Sequence, residues 1–522
     1  MSAHKITPTN PRISWLLGEV SGGNIKIPNF QREYVWEDEQ IMSLLDSIYM
    51  GYPVGSILLW STKEKLNHER NVGGFSLPGT TIDYPVNYVL DGQQRLTTLY
   101  GVFNSDAKTD DPALAARFNV SFVPSKRVFV HASVADPKTS INLREILDTT
   151  KLLKSLTKFS QAHQDVVGDL VEKFKDYEFP VVTIRDRTNQ EVCRIFQRIN
   201  SSGTSLSTLE LLAAWTWSDQ FDLRTEIGNL IDKLSDNGYD GVDETLVMRC
   251  LASLVTSGIE PDALVDVDPS DLVTAMHKMS KAVDGAIDFL AKELKILNFV
   301  YVPFPIMLVP LVKFFSMKAK PTAAQRAGLK RWFWHCAFTQ RYKAGTNAFV
   351  MEDISLMVKH SKDDGVFKRL EAKVDSALFK KTWRINSTAA KATICMLAQY
   401  SPLSFLSAVP VDLGRVMSAY NAREFHHVYP KAFLATKGVT FHEANIIANV
   451  CMLTASDNNQ ISDSDPSDYI KMMPKGKRRG IFKSALIPNL AFDGSVAYSD
   501  FIDDRAEHLA AMAGKLILGK VQ

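Results

Sequence analysis

Short apolar runs and helix-spaced apolar positions alternate along the first hundred residues. The runs typical of strands lie at 24–28, 56–60 and 88–90. Apolar residues at the spacing of one helix face follow the first run: Ile41, Leu44, Leu45 and Ile48. A second such face follows the third run: Leu96, Leu99, Tyr100 and Phe103. The alternation predicts an α/β fold for the N-terminal region.

One more strand and a long helical region follow. The strand is predicted at 179–184, and the next helix carries Val192 and Ile195 on its apolar face and ends at 200–203. Ser207, with Glu210 three residues later, has the pattern of a capping box at the start of another helix. We therefore predict an α+β, multidomain chain with three parts: an α/β domain at 1–218, a helical connecting region at 219–400 and a mixed domain at 401–522.

Composition is that of a globular protein with no general excess of charge. The 522 residues are too many for one ordinary core, and hydrophobic residues make up 45% of them. The formal net charge is +2, so any contact with nucleic acid has to come from a local patch. The five cysteines are scattered without a paired spacing, which argues against a disulfide framework and a cysteine-rich zinc site.

Neither the N-terminus nor the longest apolar run predicts a membrane segment. Met1–Pro11 is polar and has no apolar signal core. Phe299–Val312 is short for a membrane span and contains three prolines, so we interpret it as a buried core segment. A cytoplasmic protein without a membrane partner is the expectation.

The first candidate for chemistry is the turn Asp91-Gly92-Gln93-Gln94-Arg95, between a predicted strand and a helix. Free backbone N–H groups and the helix dipole favour an anion at such a turn. Gly92 allows close backbone approach, Gln93 and Gln94 can donate hydrogen bonds, and Arg95 offers a fork for phosphate. Asp91 could hold a metal-bound water or a ribose hydroxyl. A surface turn with Arg95 in a structural ion pair is an equally open reading.

Four segments in order along the chain resemble the N-terminal domain of the GmrSD family of modification-dependent restriction and phage-defence nucleases. They are Ile27–Trp36 together with Tyr52–Trp60, then Val89–Leu99, and then Ile195–Gly203. The resemblance implies a ParB/sulfiredoxin-like fold that binds, and often hydrolyses, a nucleoside triphosphate, with GTP, ATP and UTP not distinguished. It carries over to these nucleotide-site residues: Gln31, Arg32, Asp91, Gly92, Gln93, Gln94 and Arg95. Asn200 is a weaker candidate, because it also fits the end of a helix.

The second candidate for chemistry is a set of histidine and asparagine residues near the C-terminus. Phosphodiester hydrolysis needs a base that activates water and a metal that stabilises charge on the phosphate. Phe425–Lys431 resembles the His-x-x-Pro strand of HNH (ββα-metal) nucleases. The segments 447–453 and 456–460 resemble the second strand and the start of the helix of the same motif.

Position by position, this resemblance implies a general base at His427 and an orienting residue at Asn449. Asn458 falls where the last residue of the motif ligates the metal, and His426 falls where many HNH enzymes have an acidic ligand. Imidazole suits Mn²⁺, Ni²⁺ or Zn²⁺ better than Mg²⁺, so the identity of the metal, Mg²⁺ or Mn²⁺, stays open. Two ordinary strand histidines are the alternative interpretation of His426 and His427.

A basic run follows the motif between residues 471 and 483, and it contains no acidic residue. Such a run is commonly only a solvated face, but beside a nuclease motif it favours contact with DNA phosphates without base specificity. The residues that we predict to bind DNA are Lys475, Lys477, Arg478 and Arg479.

Together these patterns predict a nucleotide-regulated, metal-dependent endonuclease or nickase that acts on modified or foreign double-stranded DNA. The sign of the nucleotide's effect and the recognised modification stay open, and a homodimer is compatible with the sequence. One alternative is a protein that binds modified DNA and whose nucleotide motif is structural. Another is a toxin or interaction protein whose HNH site is inactive because His426 replaces an acid.

Overall fold

The structure is a computed structural model of the chain, and it divides into two compact units, Met1–Asp222 and Leu223–Gln522. It describes residues 6–28, 34–63, 68–69, 71–72, 75–76, 85–104, 108–109, 111–188, 191–192, 194–195, 208–216, 221–417, 425–488 and 492–520. The predicted regions 219–400 and 401–522 lie almost entirely within the second unit.

The first unit contains strands and helices in alternation. Its strands are β1 (Ile6–Thr9), β2 (Ile25–Pro28), β3 (Ile57–Thr62), β4 (His68–Glu69), β5 (Asn71–Val72), β6 (Phe75–Ser76), β7 (Val86–Asp91), β8 (Lys108–Thr109), β9 (Val120–Val123), β10 (Val128–His131), β11 (Ile141–Asn142) and β12 (Val181–Arg185). Its helices are α1 (Ile13–Ser21), α2 (Asp38–Tyr49), α3 (Gln93–Phe103), α4 (Pro112–Arg117), α5 (Leu143–Ile146), α6 (Thr149–Leu156), α7 (Gln161–Asp176) and α8 (Thr208–Thr216).

A mixed six-stranded sheet organises the first unit, in the order β1-β12-β3-β7-β2-β4. The pairs β12–β3 and β2–β7 are parallel, whereas β1–β12, β3–β7 and β2–β4 are antiparallel. Strands β3 and β7 each begin with a run of mostly buried residues, as expected for central strands. Strand β7 pairs with β2 at Asn87 and Tyr88 and with β3 as far as Asp91, so the turn at Asp91–Arg95 begins beside Leu58 of β3.

The four strands predicted in this unit are confirmed as β2, β3, β7 and β12, and both early helices are confirmed as α2 and α3. Their predicted apolar faces are buried in one core together with α1 and α7. Strand β1 and the separate sheet β10-β9-β11 were not predicted, and the residues of β1 and β10 are exposed or half-buried in the structure. Ser207 and the predicted helix end at 200–203 lie outside the described residues.

The second unit is mainly helical up to residue 399. Its helices are α9 (Leu223–Asp236), α10 (Glu244–Val255), α11 (Pro269–Asp288), α12 (Leu308–Met317), α13 (Ala323–Phe338), α14 (Thr346–His360) and α15 (Thr388–Gln399). A π-helical turn at Phe289–Glu293 continues α11, and short 3₁₀ turns lie at Pro261–Asp266, Phe299–Tyr301, Pro305–Met307 and Ser376–Leu378. The apolar run 299–312 is largely buried in this core, as predicted.

After residue 400 the same unit combines two strands with short helices. The elements are α16 (Leu413–Val416), β13 (Phe425–His427), α17 (Lys431–Thr436), α18 (Phe441–Ala444), β14 (Val450–Met452), α19 (Ala455–Ile461), α20 (Pro466–Met472), α21 (Arg478–Ser484) and α22 (Tyr498–Ile517), with 3₁₀ turns at Ile447–Asn449 and Lys475–Lys477. The last helix, α22, packs against α13. The C-terminal segment is thus built onto the helical region. Among the described helices, none has the length and apolar character needed to cross a membrane.

Candidate active site

The turn that ends β7 has the predicted strand–turn–helix geometry. Gly92 precedes α3 with φ of +90°, a conformation that favours glycine because it has no Cβ. A Cβ at this position would lie 3.0 Å from Cγ1 of Ile57 and 3.1 Å from the carbonyl oxygen of Ser56. The glycine therefore lets the turn lie directly on β3, and it starts α3 without a capping side chain.

Arg95 holds the loop that leads into β3. Its Nη1 donates to the carbonyl oxygen of Val54 at 3.1 Å, and its Nη2 donates to that of Ser56 at 2.9 Å. Nη2 also lies 3.3 Å from Oδ2 of Asp91. Gly55, with φ of +80°, makes room for this contact, since a Cβ there would lie 2.3 Å from Nη1. The structural ion pair left open above is thus present, although Nε is buried without a hydrogen-bond partner among the described residues.

The first turn of α3 is buried and joined to residues just before α2. Oε1 of Gln94 accepts a hydrogen bond from the backbone N–H of Val35 at 3.0 Å. The Tyr34 and Thr98 hydroxyls are 2.8 Å apart, and Thr98 donates to the carbonyl of Gln94 at 2.8 Å. Burial raises the pKa of Tyr34 to about 12. These bonds place residues 34–35 against the turn. Gln31, Arg32 and Asn200, the remaining nucleotide-site candidates, lie outside the described residues.

The predicted C-terminal motif folds as two antiparallel strands and a helix. Strand β13 pairs with β14, with His426 opposite Cys451 and His427 opposite Val450. Thr454 caps the next helix, α19, by accepting a hydrogen bond from the backbone of Asp457. His426 and His427 are adjacent at the end of β13, and a charge on His426 lowers the pKa of the His427 ring.

The orientation of His427 is fixed by a residue that the sequence reading missed. Its Nε2 lies 3.1 Å from Oδ1 of Asn445, and Nδ2 of Asn445 donates to the carbonyl of Trp383 at 3.2 Å. Since the amide oxygen accepts, Nε2 carries the proton in the neutral ring and Nδ1 keeps the lone pair. No described residue bonds to Nδ1. Burial, assisted by Lys431 and His426, lowers the pKa of His427 to about 4, against the effect of Asn445.

Asn449 holds the segment after His427 rather than His427 itself. Its Oδ1 accepts from the backbone N–H of Tyr429 at 2.9 Å, and its Nδ2 donates to the carbonyls of Tyr429 and Ala444, both at 3.0 Å. Its own carbonyl accepts from Val428 at 2.7 Å. The side chain is fully buried. Asn449 therefore joins the segment after β13 to the start of β14, and its described hydrogen bonds reach Val428, Tyr429 and Ala444 rather than the His427 ring.

His426 and Asn458 are the residues predicted to hold a metal. Nε2 of His426 is buried and has no hydrogen-bond partner among the described residues, and burial lowers the pKa of the ring to about 4. A neutral imidazole nitrogen without a partner is a suitable ligand for a borderline cation. Asn458 is half-buried on α19. Its neighbour Asp457 is not available, because its two oxygens accept from Ser404 and Phe405. Within the described ranges no cluster of three or more His, Cys, Asp and Glu residues could hold an ion.

Arg505 donates hydrogen bonds to the backbone at β14, and the sequence analysis did not identify it. Its guanidinium is fully buried and donates to the carbonyls of Ala448 at 2.8 Å and Val450 at 2.9 Å. The remaining bonds reach the carbonyls of Ala485 at 2.9 Å and Leu486 at 3.4 Å. Burial lowers the pKa of Arg505 to about 10, so the side chain stays charged at neutral pH. No carboxylate among the described residues pairs with it, and four backbone carbonyls take that place.

The predicted DNA-binding residues lie on the surface of the second unit. Lys475, Lys477 and Arg479 are exposed and Arg478 is half-buried, at the 3₁₀ turn and the start of α21. In the described part of the chain no acidic side chain pairs with any of the four. The helix before them, α20, is tied to β13, because Tyr469 donates to the carbonyl of Val428 at 2.7 Å.

Comparison with known proteins gives a family for the first unit. Residues 13–217 match the family model described as "GmrSD restriction endonuclease, N-terminal domain". The first unit is therefore similar to the N-terminal domain of GmrSD restriction endonucleases. An uncharacterized protein of Methanocaldococcus jannaschii is similar over more of the chain, with 22% identity over 512 residues, covering 86% of this chain and 84% of that protein. That similarity reaches beyond the GmrSD-type domain into the second unit.

Sequence reasoning missed Asn445 and Arg505 because neither fits the spacing of the motif. Asn445 lies 18 residues after His427, and its signal was only a second asparagine four residues before Asn449. Arg505 lies 55 residues beyond Val450, in a helix whose charged residues look like a solvated face. Only the folded chain brings these side chains to the strand pair.

Proposed function

We propose that this protein is a metal-dependent DNA endonuclease or nickase of the restriction type, with His427 as the base that activates water. The observation that carries the proposal is the bond between His427 Nε2 and Asn445 Oδ1. It fixes the ring and leaves Nδ1 as the lone pair that takes a proton from water. The β13–β14–α19 arrangement supports the proposal, since a strand pair followed by a helix is how HNH nucleases hold base and metal.

The residues that would hold a divalent cation, Mg²⁺ or Mn²⁺, are His426 and Asn458. The unpartnered, buried Nε2 of His426 fits a metal ligand. When bound, the cation would supply positive charge to the phosphate and the leaving oxygen. His426 in place of an acid favours Mn²⁺ over Mg²⁺. Lys475, Lys477, Arg478 and Arg479 would neutralise DNA phosphates, so binding would weaken with rising salt.

We infer that the GmrSD-type N-terminal domain binds a nucleoside triphosphate at the turn 91–95, with Gln31 and Arg32. In this proposal Arg95 acts indirectly: it holds the carbonyls of Val54 and Ser56, and thereby the loop around Gly92. Direct contact with phosphate would come from Arg32 and from the start of α3. Foreign or modified DNA as the target follows from the family's name and stays part of the proposal.

The nuclease test uses the full chain with supercoiled plasmid and with phage genomic DNA, in Mg²⁺ or Mn²⁺, with and without GTP, ATP or UTP. We expect His427→Ala to lower the cleavage rate by roughly 10²–10⁴-fold, the usual contribution of a general base. DNA binding in a mobility-shift assay should be retained. His163→Ala, on α7, is the matched control and should cut like wild type.

Wild type that never cuts, or His427→Ala that cuts normally, would overturn the nuclease proposal and favour a DNA-binding defence protein. The nucleotide proposal is tested separately by equilibrium dialysis with each triphosphate. Arg32→Ala should weaken binding at least tenfold. Unchanged binding in Arg32→Ala and in Arg95→Ala would mean that the turn is purely structural.

A further inference from the structure

A cavity of about 1020 Å³ lies in the second unit, in the part of the chain that also forms the candidate active site. Its walls come from the segment between β13 and β14, from the start of α20 and from α22. Tyr429, which lines it, is two residues beyond His427, and Ile446, which also lines it, follows Asn445 directly. The segment that positions the proposed base therefore also forms a wall of the cavity.

Aromatic side chains line the cavity and are held in place. The Tyr429 hydroxyl donates to the carbonyl of Val496 at 2.8 Å, and the Tyr498 hydroxyl donates to that of Glu443 at 2.8 Å. The two rings lie 5.4 Å apart at 63°. Phe433 adds a third ring. The Tyr429 ring is only 2% exposed, so the half-buried rings of Tyr498 and Phe433 are the ones that a planar ligand would meet.

The carboxylates that line the cavity already have hydrogen-bond or ion-pair partners. Asp503 lies 2.7 Å from Nζ of Lys380. Glu443 accepts from the backbone and hydroxyl of Thr440, and Asp465 accepts from the backbone of Ser467. The ammonium group that remains at the cavity is that of Lys437, whose Nζ lies over the Phe433 ring at 5.5 Å. A triphosphate would find no cluster of positive charge here, whereas a neutral ligand would find neutral polar groups.

The neutral polar groups are hydroxyls. Thr382, Ser467 and Ser499 bring side-chain hydroxyls to the cavity between the rings and the aliphatic side chains of Leu434 and Ile502. Hydroxyls both donate and accept, so they match the mixed donors and acceptors on the edge of a heterocycle. The volume is that of sites for ligands of drug size, about 300–1000 Å³. This volume is large enough for a nucleoside that carries a substituent on its base.

We propose that this cavity receives a nucleobase swung out of the DNA. The inference rests on the proposed nuclease function, because it makes DNA the source of the base. A base that has left the stack is planar, uncharged and polar at its edge, and it needs aromatic packing to replace its lost neighbours. The cavity offers these features in the segment that carries the proposed catalytic histidine. DNA cutting would then depend on what the cavity accepts.

The first test fills the cavity and measures binding without cleavage. Ser499 is exposed on α22 and makes one side-chain hydrogen bond, to its neighbour Asp500 at 3.3 Å, so Ser499→Trp adds bulk without removing a buried group. Asp500→Trp, on the adjacent exposed position outside the cavity, is the control. Equilibrium dialysis in EDTA with thymidine, deoxycytidine and deoxyadenosine should show at least tenfold weaker binding to Ser499→Trp than to wild type or Asp500→Trp. Phe433→Ala, which removes a ring, should weaken binding at least threefold.

The second test distinguishes a base in DNA from a free nucleoside. The probe is a DNA duplex with one 2-aminopurine in a mismatched pair, because a mismatched base costs the least free energy to unstack. Its fluorescence should rise when wild type is added and should not rise with Ser499→Trp. Nucleoside binding without this rise would overturn the proposal and assign the cavity to a free nucleoside. No nucleoside binding and no rise would overturn it entirely. Both tests are done in EDTA and measure binding rather than cleavage. They therefore decide the proposal even if the protein never cuts DNA.

Discussion

Two arginines, one in each unit, hold backbone carbonyl groups beside a candidate site. They differ in exposure and in the groups that they contact. Arg95 belongs to a recognisable motif, is about one-fifth exposed, and shares its charge with Asp91. Arg505 belongs to no motif, is fully buried, and its described hydrogen bonds all go to backbone carbonyl oxygens. The comparison teaches that an arginine within a ligand-binding motif can be engaged with the protein's own backbone. It also teaches that an arginine outside any motif can hold a candidate active site together.

The candidate sites differ in the same way. At the turn 91–95, the polar side chains whose contacts are described form hydrogen bonds with other groups of the first unit. At β13, the Nε2 atom of His426 and the Nδ1 atom of His427 have no partner among the described residues, although the rings are largely buried. The second site therefore has nitrogen atoms available for a ligand, whereas at the first the proposed binding of a nucleotide would rely on Gln31 and Arg32, outside the described residues.

The largest effect is expected for Arg505→Met. The variant keeps the apolar stem but leaves four buried carbonyls without a donor, so we expect the second unit to lose about 3–5 kcal/mol of stability. Hydrogen exchange followed on peptides from each unit should show the loss in 425–517 and not in the first unit. Arg505→Lys, which keeps the charge with fewer donors, should lie between. A change below about 0.5 kcal/mol in Arg505→Met would show that the hydrogen bonds of Arg505 are not needed for stability.

The next effect is a loss of stability in acid that comes from the histidine pair. The pKa values of both histidines fall from 6.5 in the unfolded chain to about 4 in the folded protein. Between these two pH values the unfolded chain binds protons at the two rings and the folded protein does not. The contribution of the two neutral rings to the free energy of unfolding is fully present above pH 6.5 and is lost as the pH falls toward 4. In EDTA we expect roughly 1–2 kcal/mol per histidine between pH 7 and pH 5.

Urea unfolding at pH 7, 6 and 5 measures this slope. His426→Gln and His427→Gln should each flatten it, while carboxylate titration, common to all three proteins, cancels in the comparison. Equal slopes for wild type and both variants would contradict the prediction and mean that the rings are solvated in the folded protein.

A smaller effect is expected for Arg95→Met. The side chain is partly exposed, its lost bonds to Val54 and Ser56 can be replaced by water, and Asp91 is already half in solvent. We expect a loss of about 1–2 kcal/mol, confined to exchange-protected peptides of the first unit. If Arg95→Met lost as much stability as Arg505→Met, the exposed and the buried arginine would be equally important for stability, contrary to the prediction.

The smallest effect is the coupling between Gly55 and Arg95. Gly55→Ala places a Cβ against Nη1 of Arg95 and strains a backbone with positive φ, so it should displace the guanidinium. In a double-mutant cycle with Arg95→Met, the two losses should fall short of additivity by at least 0.5 kcal/mol. Additive losses would mean that the alanine is accommodated without moving Arg95.

Much of the architecture follows from local pattern. Apolar spacing located β2, β3, β7, β12, α2 and α3, because a strand or helix that packs on a core must repeat its buried positions. The strand pair and helix around His427 and Asn449 were likewise placed by sequence. Short elements such as β1 and β10 were not, because their stability comes from neighbouring strands rather than from their own residues.

The sequence by itself determined the order of elements, the turn at Gly92 and the identity of the histidines, since these depend on residues close together in the chain. Only the tertiary structure decided what each polar group contacts. Asn445 reaches His427, Arg505 reaches β14, and Arg95 reaches the loop before β3 across long stretches of chain. A hydrogen bond depends on distance and direction in space, and neither is encoded in the spacing of residues along a chain.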